Sequence, residues 1–318
     1  MRVVVLDDYQ GIAAEMADWR RAGPDIELHA LRRHIDDEAA LAAELAGAPV
    51  VVAMRERTAF RASLFDALPD LKLLVTTGPF NAAIDIAAAN AHGVIVSGTG
   101  GMITPTSELT WGLILALSRQ IPVEDAAVRA GRWQTQLGSG LQGKRLGLVG
   151  LGRLGRLVAR VGLAFDMDVV AWSTNLTPER CAEAGVGFAT KDELLSTSDV
   201  VSIHLVLSER SRGLIGAAEL ALMKPTAVLV NTSRGPIVDE DALVAAVRAG
   251  TIAGAALDVF DREPLPLDHP LRNLPNTVLT PHVGYVTRET YEIFFGDIVD
   301  DIRAWRDGAP VRVVAPPG

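Results

Sequence analysis

Two groups of residues have types and spacings that chemistry could use. The first lies in the run KRLGLVGLGRLGRLVARVGLAF at 144–165, where Gly150, Gly152 and Gly155 stand as G-x-G-x-x-G. An apolar strand precedes this loop, a helical stretch follows it, and a second apolar run, MDVVAWS, comes at strand distance. In that setting Gly150 allows a tight turn, Gly152 lets the backbone approach a pyrophosphate, and Gly155 lets the helix pack on the strand. The N–H groups of the first helical turn, at Arg153, Leu154 and Gly155, and the positive end of the helix dipole then suit phosphates. The chemistry implied is dinucleotide binding. The Lys and Ser/Thr of a P-loop are missing, which disfavours a nucleoside triphosphatase.

An acid at the end of the second strand, about 20 residues on, commonly holds the adenosine ribose 2′-hydroxyl. The chain has Trp172-Ser173-Thr174-Asn175 there instead. Nothing in this stretch repels a 2′-phosphate, and Ser173, Thr174 and Asn175 could bind either ribose form. NAD is the expected cofactor, with NADP not excluded.

The second group is charged and sits just past apolar strands. AVLVNTSRG places Arg234 after one strand, AALDVFDREP places Asp258 and Glu263 after another, and TVLTPHVG places His282 after a third. In an open α/β sheet, ligands bind at the carboxyl ends of the strands. These side chains therefore gather on the rim where the glycine loop would hold a cofactor. Each has a plainer reading: Arg234 before Gly235-Pro236 as a surface donor, Glu263 before Pro264 as a solvated turn acid, His282 as a structural imidazole. Together on one rim they form a coherent Arg/Glu/His set.

The elements that must position these residues can be read from apolar patterning. Short β-branched runs fall at 2–6, 49–54, 71–76, 94–97, 145–149, 168–172, 200–207, 227–231, 252–259 and 277–280, and helical stretches at 38–46, 84–91, 155–165, 217–223 and 240–249. Runs such as VVSIHLVL are continuously apolar, as in parallel strands covered on both faces. Strand–helix alternation of this kind predicts an α/β doubly wound architecture. A Gly/Thr-rich stretch near 100 divides the chain and opens a helix that Thr104 or Thr106 could cap and that Pro122 breaks or kinks. After 284 comes a long amphipathic helix with Ile293, Phe294, Ile298, Ile302 and Trp305 on its apolar face.

Composition fits. The 318 residues are 49% hydrophobic and 22% charged with a net charge of −9, which suits about two globular domains and disfavours a nucleic-acid partner. The one cysteine, Cys181, excludes an intrachain disulfide and reads as structural. With no secretory signal and no long uncharged apolar span, a cytoplasmic protein without a membrane partner is expected. His29, His34, His92 and His269 show no metal-ligand spacing, so no metal is expected.

The stretches GRWQTQLGSGLQGKRLGLVGLGRLG, SIHLVLSERSRGLIG, LMKPTAVLVNTSRGPIVDEDALVAAVRAGTIAGAALDVFDREPLP and LPNTVLTPHVG resemble the D-isomer-specific 2-hydroxyacid dehydrogenases. This family includes phosphoglycerate dehydrogenase, glyoxylate/hydroxypyruvate reductase and D-lactate dehydrogenase. The resemblance covers most of 100–285 in the family's order and spacing. Before residue 100 it is looser, carried by LKLLVTTG…IDIAAANAHGVIVSGT.

The resemblance implies two doubly wound parallel-sheet domains: a Rossmann cofactor domain at 100–285, inserted in a smaller flavodoxin-like substrate domain of 1–99 with 286–318, the substrate lying in the cleft between. It implies hydride transfer between nicotinamide and C2 of a small D-2-hydroxy acid or 2-keto acid. Arg234 would clamp the substrate's carboxylate and carbonyl, His282 would be the acid/base, and Glu263 would hydrogen-bond the imidazole and favour its charged form. Asp258 would orient the nicotinamide carboxamide. Thr106, His204, Leu205, Val206, Thr232, Ser233 and Gly284 would line the cofactor, and Arg55 would be a second carboxylate contact. It also implies a homodimer, with 104–133 as the arm.

The chain departs from the family's pattern in several places. The usual Gly-x-Gly of the substrate loop reads Gly78-Pro79-Phe80, and Pro79 has no N–H to offer a carboxylate. The strand-two acid is missing, and the usual His-Leu-Pro-Leu-Thr reads His204-Leu205-Val206-Leu207-Ser208. No extra regulatory domain is expected after Gly318. A relative acting on another substrate such as phosphite is the enzymatic alternative; formate dehydrogenases of this fold lack the Glu, so Glu263 argues against them. The alternative of another class is a non-catalytic dinucleotide sensor, in the manner of the fold's corepressors.

Overall fold

The computed structural model describes residues 1–316. It divides into two compact units, one built from Met1–Met102 with Val286 onward and the other from Ile103–Tyr285. The first unit thus begins and ends the chain, and the second is inserted in it. The first change of unit falls after Met102, three residues later than the sequence boundary.

The first unit holds strands β1 Arg2–Val5, β2 Glu27–Ala30, β3 Val50–Ala53, β4 Leu73–Thr76 and β5 Ile95–Gly98. They form one parallel sheet of order β2-β1-β3-β4-β5. Every residue of β3 and β4 is buried, as expected of strands covered on both faces. β2 is the exception: an edge strand with alternating exposure, ELHA, it has no continuous apolar run and so lies outside the strands expected from apolar patterning.

The helix Arg288–Arg306 packs on this unit through Tyr291, Phe294, Phe295, Ile298, Val299 and Ile302. The expected apolar stripe is corrected in part: Ile293 is 36% exposed and Trp305 half-buried. The buried face is centred on Phe295, which meets Trp19 edge-on at 6.2 Å, and this leaves Ile293 on the side of the helix. The chain then returns to β5, where Val314 N–H donates to Val96 O at 2.8 Å and Gly98 N–H to Arg312 O at 2.9 Å. The Arg312 guanidinium pairs with Asp301 at 3.0 Å and Asp297 at 3.2 Å, and Asp297 also accepts the Gly100 N–H at 2.7 Å.

The second unit holds β6 Arg145–Val149, β7 Asp168–Trp172, β8 Gly187–Phe188, β9 Val200–Ile203, β10 Val228–Asn231, β11 Gly254–Leu257 and β12 Thr277–Leu279. The order is β12-β11-β10-β9-β6-β7-β8, all parallel. From β6 the chain winds one way to β8, then returns beside β6 at β9 and winds the other way. The sheet therefore has a topological switch between β6 and β9, and the loops after β6, β9, β10, β11 and β12 all leave from one edge.

Two details of the first helix of this unit differ from expectation. Neither Thr104 nor Thr106 caps it: both lie inside the helix, and the N-cap is Ile103, whose apolar side chain can make no capping bond, while the Thr106 hydroxyl donates to Gly284 O at 3.1 Å. Pro122 breaks nothing. The helix Thr104–Ser118 ends by itself, Gln120 is left-handed at φ 54, and Pro122 sits in the first turn of the next helix, Ile121–Arg129, where its missing N–H costs nothing. Cys181 is buried and free in the helix Pro178–Glu183. No helix among the described residues is long and apolar enough to cross a membrane.

Candidate active site

The glycine loop leaves β6 at the switch point. Gly150 has φ 108, and a Cβ there would lie 2.4 Å from His204 O, so the turn closes on the chain leaving β9. Only glycine accommodates both constraints. A Cβ on Gly155 would lie 2.2 Å from Gly150 O, so the helix Arg153–Ala164 starts hard against the turn. At Gly152, its N-cap, a Cβ would meet nothing within 4 Å, and no side chain caps the helix. Gly152 and Arg153 are exposed and Leu154 is half-buried. A bare, uncapped helix start beside close-packed glycines fits the pyrophosphate of a dinucleotide.

Past β7, Ser173 is half-buried and Thr174 and Asn175 are exposed, so no acid stands at this strand end. Past β9, the structure buries His204, whose Nε2 lies 2.9 Å from Ser202 Oγ. Burial pushes its imidazole down to about 3, which favours the neutral ring. Leu205 is half-buried against the core, and Val206 is 85% exposed.

The turn after β10 is held from several sides. Asn231 is buried; its Oδ1 accepts the Ser233 N–H at 3.0 Å and its Nδ2 donates to Arg234 O at 2.9 Å. The Ser233 hydroxyl donates to Ile203 O at 2.8 Å, and Thr232 Oγ1 lies 2.9 Å from Thr110 Oγ1. Arg234 Nη1 donates to Ser233 O at 2.7 Å, which keeps the half-buried guanidinium close to its own turn.

The loops after β11 and β12 meet. His282 Nδ1 lies 2.6 Å from Glu263 Oε2, with side-chain exposures of 16% and 26%. The other Glu263 oxygen accepts the Phe260 N–H at 2.9 Å, so this carboxylate is held at both oxygens. His282 itself is left-handed at φ 55, rare for a residue with a side chain. Asp258 holds that backbone. Its Oδ1 accepts from Thr280 Oγ1 at 2.6 Å and from Val283 N–H at 2.8 Å, and its Oδ2 accepts from Gly284 N–H at 2.9 Å. Burial raises the Asp258 carboxyl above its ordinary range, against those hydrogen bonds and the neighbouring His282. Tyr285 packs edge-on to the His282 ring at 5.8 Å.

Arg234, Glu263, His282, Asp258, Thr106, Thr232, Ser233, Gly284 and the glycine loop are thus carried on one edge of one unit. Asn231, Thr110, Thr280 and Tyr285 also shape the site and were not singled out from sequence. Asn231 had a signal of its own: an amide ending an apolar strand just before Thr-Ser-Arg-Gly.

Arg55 and the 78–80 loop lie in the first unit, after β3 and β4. Gly78 has φ 88, and a Cβ there would lie 1.8 Å from Arg55 Nη1. The missing side chain is what lets the guanidinium rest on the loop. The Gly78 N–H donates to Thr99 Oγ1 at 2.7 Å, Pro79 has no N–H, and Phe80 is 49% exposed. Among the described residues no three or more His, Cys, Asp or Glu side chains gather as metal ligands would.

Residues 111–284 match the NAD-binding domain of the D-isomer specific 2-hydroxyacid dehydrogenases. The chain is 44% identical over 237 residues to the glyoxylate reductase of Aeropyrum pernix, covering 71% of each chain. It is 39% identical over 264 residues to the D-3-phosphoglycerate dehydrogenase of Archaeoglobus fulgidus, covering 82% of this chain and 50% of that one. The crystal structure of phosphoglycerate oxidoreductase from Vibrio cholerae superposes with a TM-score of 0.92 at 34% identity, over 97% of this chain and 100% of the other. The chain belongs to the D-isomer specific 2-hydroxyacid dehydrogenase family, with an NAD-binding domain inside its second unit.

Proposed function

We propose that this protein reduces a small 2-keto acid, or oxidises the matching D-2-hydroxy acid, with His282, Glu263 and Arg234 as the reacting constellation. The observation that carries the reading is the 2.6 Å contact between His282 Nδ1 and Glu263 Oε2. A carboxylate on Nδ1 fixes the tautomer and ring orientation and directs Nε2 toward substrate. When bound, the nicotinamide would supply the redox chemistry, donating a hydride to substrate C2 as NADH in reduction and accepting one as NAD+ in oxidation.

The chain's own residues do the rest. The glycine loop and helix start at Arg153, Leu154 and Gly155 hold the pyrophosphate. Ser173, Thr174 and Asn175 hold the adenosine ribose of NAD, and because they include no acid, nothing among them repels the 2′-phosphate of NADP. His204, Leu205, Val206, Thr232, Ser233, Thr106, Gly284 and Asp258 shape the rest of the cofactor site, with Asp258 also holding the His282 backbone. Arg234 forks onto the substrate carboxylate and carbonyl oxygen, which a planar guanidinium suits better than an ammonium. Protonated His282 gives its Nε2 proton to the developing alkoxide in reduction, and the neutral ring takes it back in oxidation. Glu263 compensates the imidazolium. Arg55, with Gly78, Pro79 and Phe80, supplies a second contact to the substrate acid.

We further propose a cytoplasmic homodimer acting on a small acid rather than on nucleic acid. Within the 104–133 arm, Ile121, Val128 and Trp133, 52%, 51% and 78% exposed, give it an apolar surface.

The test is the absorbance of NADH and of NADPH after adding glyoxylate, hydroxypyruvate, pyruvate or phenylpyruvate. Oxidation of either nucleotide supports the reductase reading. Binding without oxidation of either by any of these acids overturns it in favour of a dinucleotide sensor.

A further inference from the structure

Outside the constellation above, one carboxylate ties down both ends of the segment that carries Glu263. Glu240 stands in the first turn of the helix Glu240–Ala249, whose start is capped by Asp239 accepting the Ala242 N–H at 3.0 Å. Glu240 Oε2 accepts the Asp261 N–H at 3.3 Å, and Glu240 Oε1 lies 3.0 Å from His269 Nε2. Asp261 and His269 are the two ends of the loop in which Glu263 sits. His269 Nδ1 accepts the Leu271 N–H at 3.3 Å, so the ring carries its proton on Nε2 and donates it to Glu240. The middle of the loop is held as well, because Arg272 donates to Pro266 O at 2.8 Å and to Leu265 O at 2.7 Å. Glu240 and His269 are each only 18% exposed, so this contact is less diluted by water than a surface pair.

We propose that Glu240, acting with His269, is a positioning residue: it closes the 261–269 loop and so keeps Glu263 on the Nδ1 of His282. The inference rests on the reading that Glu263 and His282 work as a pair. Glu240 acts through the loop backbone, and its effect on turnover passes entirely through the placement of Glu263. A misplacement of the order of 1 Å costs up to about 100-fold in rate, so the brace has a measurable consequence.

The test is proton NMR of the full-length chain in water. The His282 Nδ1 proton, in a short bond to a carboxylate, gives a far-downfield resonance, identified by its loss in Glu263→Gln. In Glu240→Ala this resonance should broaden or vanish while the chain stays folded and binds NADH, and kcat for keto-acid reduction should fall about tenfold with the KM for NADH little changed. Glu240→Gln, which keeps an acceptor for the Asp261 N–H, should recover part of both. A sharp, unshifted resonance with unchanged kcat in Glu240→Ala overturns the proposal, as does absence of the resonance from the unaltered chain. If the unaltered chain shows the resonance but turns over no keto acid, the enzymatic reading fails and the resonance alone decides the role of Glu240. If Glu240→Ala does not fold, His269→Ala, which removes the donor to Glu240, carries the test, and a sharp, unshifted resonance with unchanged kcat in it overturns the proposal.

Discussion

Gly235 lies directly against the backbone of Phe260: a Cβ at 235 would stand 2.1 Å from the Phe260 carbonyl carbon and 2.6 Å from the Asp261 nitrogen. The turn carrying Arg234 and the loop carrying Glu263 are therefore seated on each other without an intervening side chain. The obstacle is main chain, so the added methyl group cannot be absorbed by a rotamer change. Gly235→Ala should cost about 1–3 kcal/mol of stability, as overpacking does. It should also lower kcat beyond what the lost folded fraction explains. Urea unfolding together with kcat per folded molecule checks this; wild-type values for both would mean that the two loops tolerate separation.

The left-handed backbone of His282 offers a clean way to remove its titration. Asn accepts positive φ more readily than most residues, so His282→Asn should fold with little strain while having no proton to give near neutral pH. We expect NADH affinity within about twofold of wild type and keto-acid reduction lower by about 100- to 10,000-fold, the usual worth of a general acid. Nucleotide titration by fluorescence and steady-state rates would show it. Retained turnover would remove His282 from its role.

Ser173, at the exit of β7, is the position to test for cofactor choice. A carboxylate there should hydrogen-bond a ribose 2′-hydroxyl and repel a 2′-phosphate. Ser173→Asp should therefore raise the KM for NADPH about tenfold or more and leave that for NADH little changed. Equal changes for the two nucleotides would place the adenosine ribose elsewhere.

His34 gives the first unit a pH dependence of its own. Its Nδ1 lies 2.9 Å from buried Asp7 and its Nε2 lies 3.4 Å from Asp36. The hydrogen bond to Asp7, aided by the charges of Asp7 and Asp36 and opposed by burial and by Arg57, raises the imidazole above its usual 6.5. A histidine raised on folding stabilises through its charged form. That contribution is complete below 6.5 and is lost as pH rises through the folded-state value. The urea midpoint of wild type minus that of His34→Gln should therefore shrink as pH climbs through this window. A difference independent of pH would show that His34 does not titrate there.

The parts legible in the sequence were those written in local pattern. Continuous apolar runs revealed the buried strands, and Gly, Arg, Glu and His just past them marked the edge where the site lies. β2 escaped because ELHA is polar and alternates, as an edge strand does. The helix starting at Thr104 was misread at its cap because both threonines lie inside it, behind apolar Ile103, and Thr106 finds its partner in Gly284, 178 residues away. Thr110 and Thr232 are likewise bonded across 122 residues. A hydroxyl or amide whose role depends on so distant a partner looks, in the sequence, like any other polar residue. Glu240 belongs to the same class: beside Asp239 and Asp241 it reads as one more acid at a helix start.

The clasp that Arg312 makes with Asp297 and Asp301 bears on the order in which the molecule is made. On the ribosome, everything the second unit needs has been synthesised by Tyr285, so that sheet can close while its host still lacks the helix Arg288–Arg306. Until Tyr291, Phe294 and Phe295 arrive the earlier sheet has an uncovered apolar side, and until Arg312 and Val314 follow the strand Ile95–Gly98 has an open edge. The cofactor-binding unit thus has all its strands in hand before the unit bearing the N-terminus has its last helix, in reverse of the order in which the two units begin.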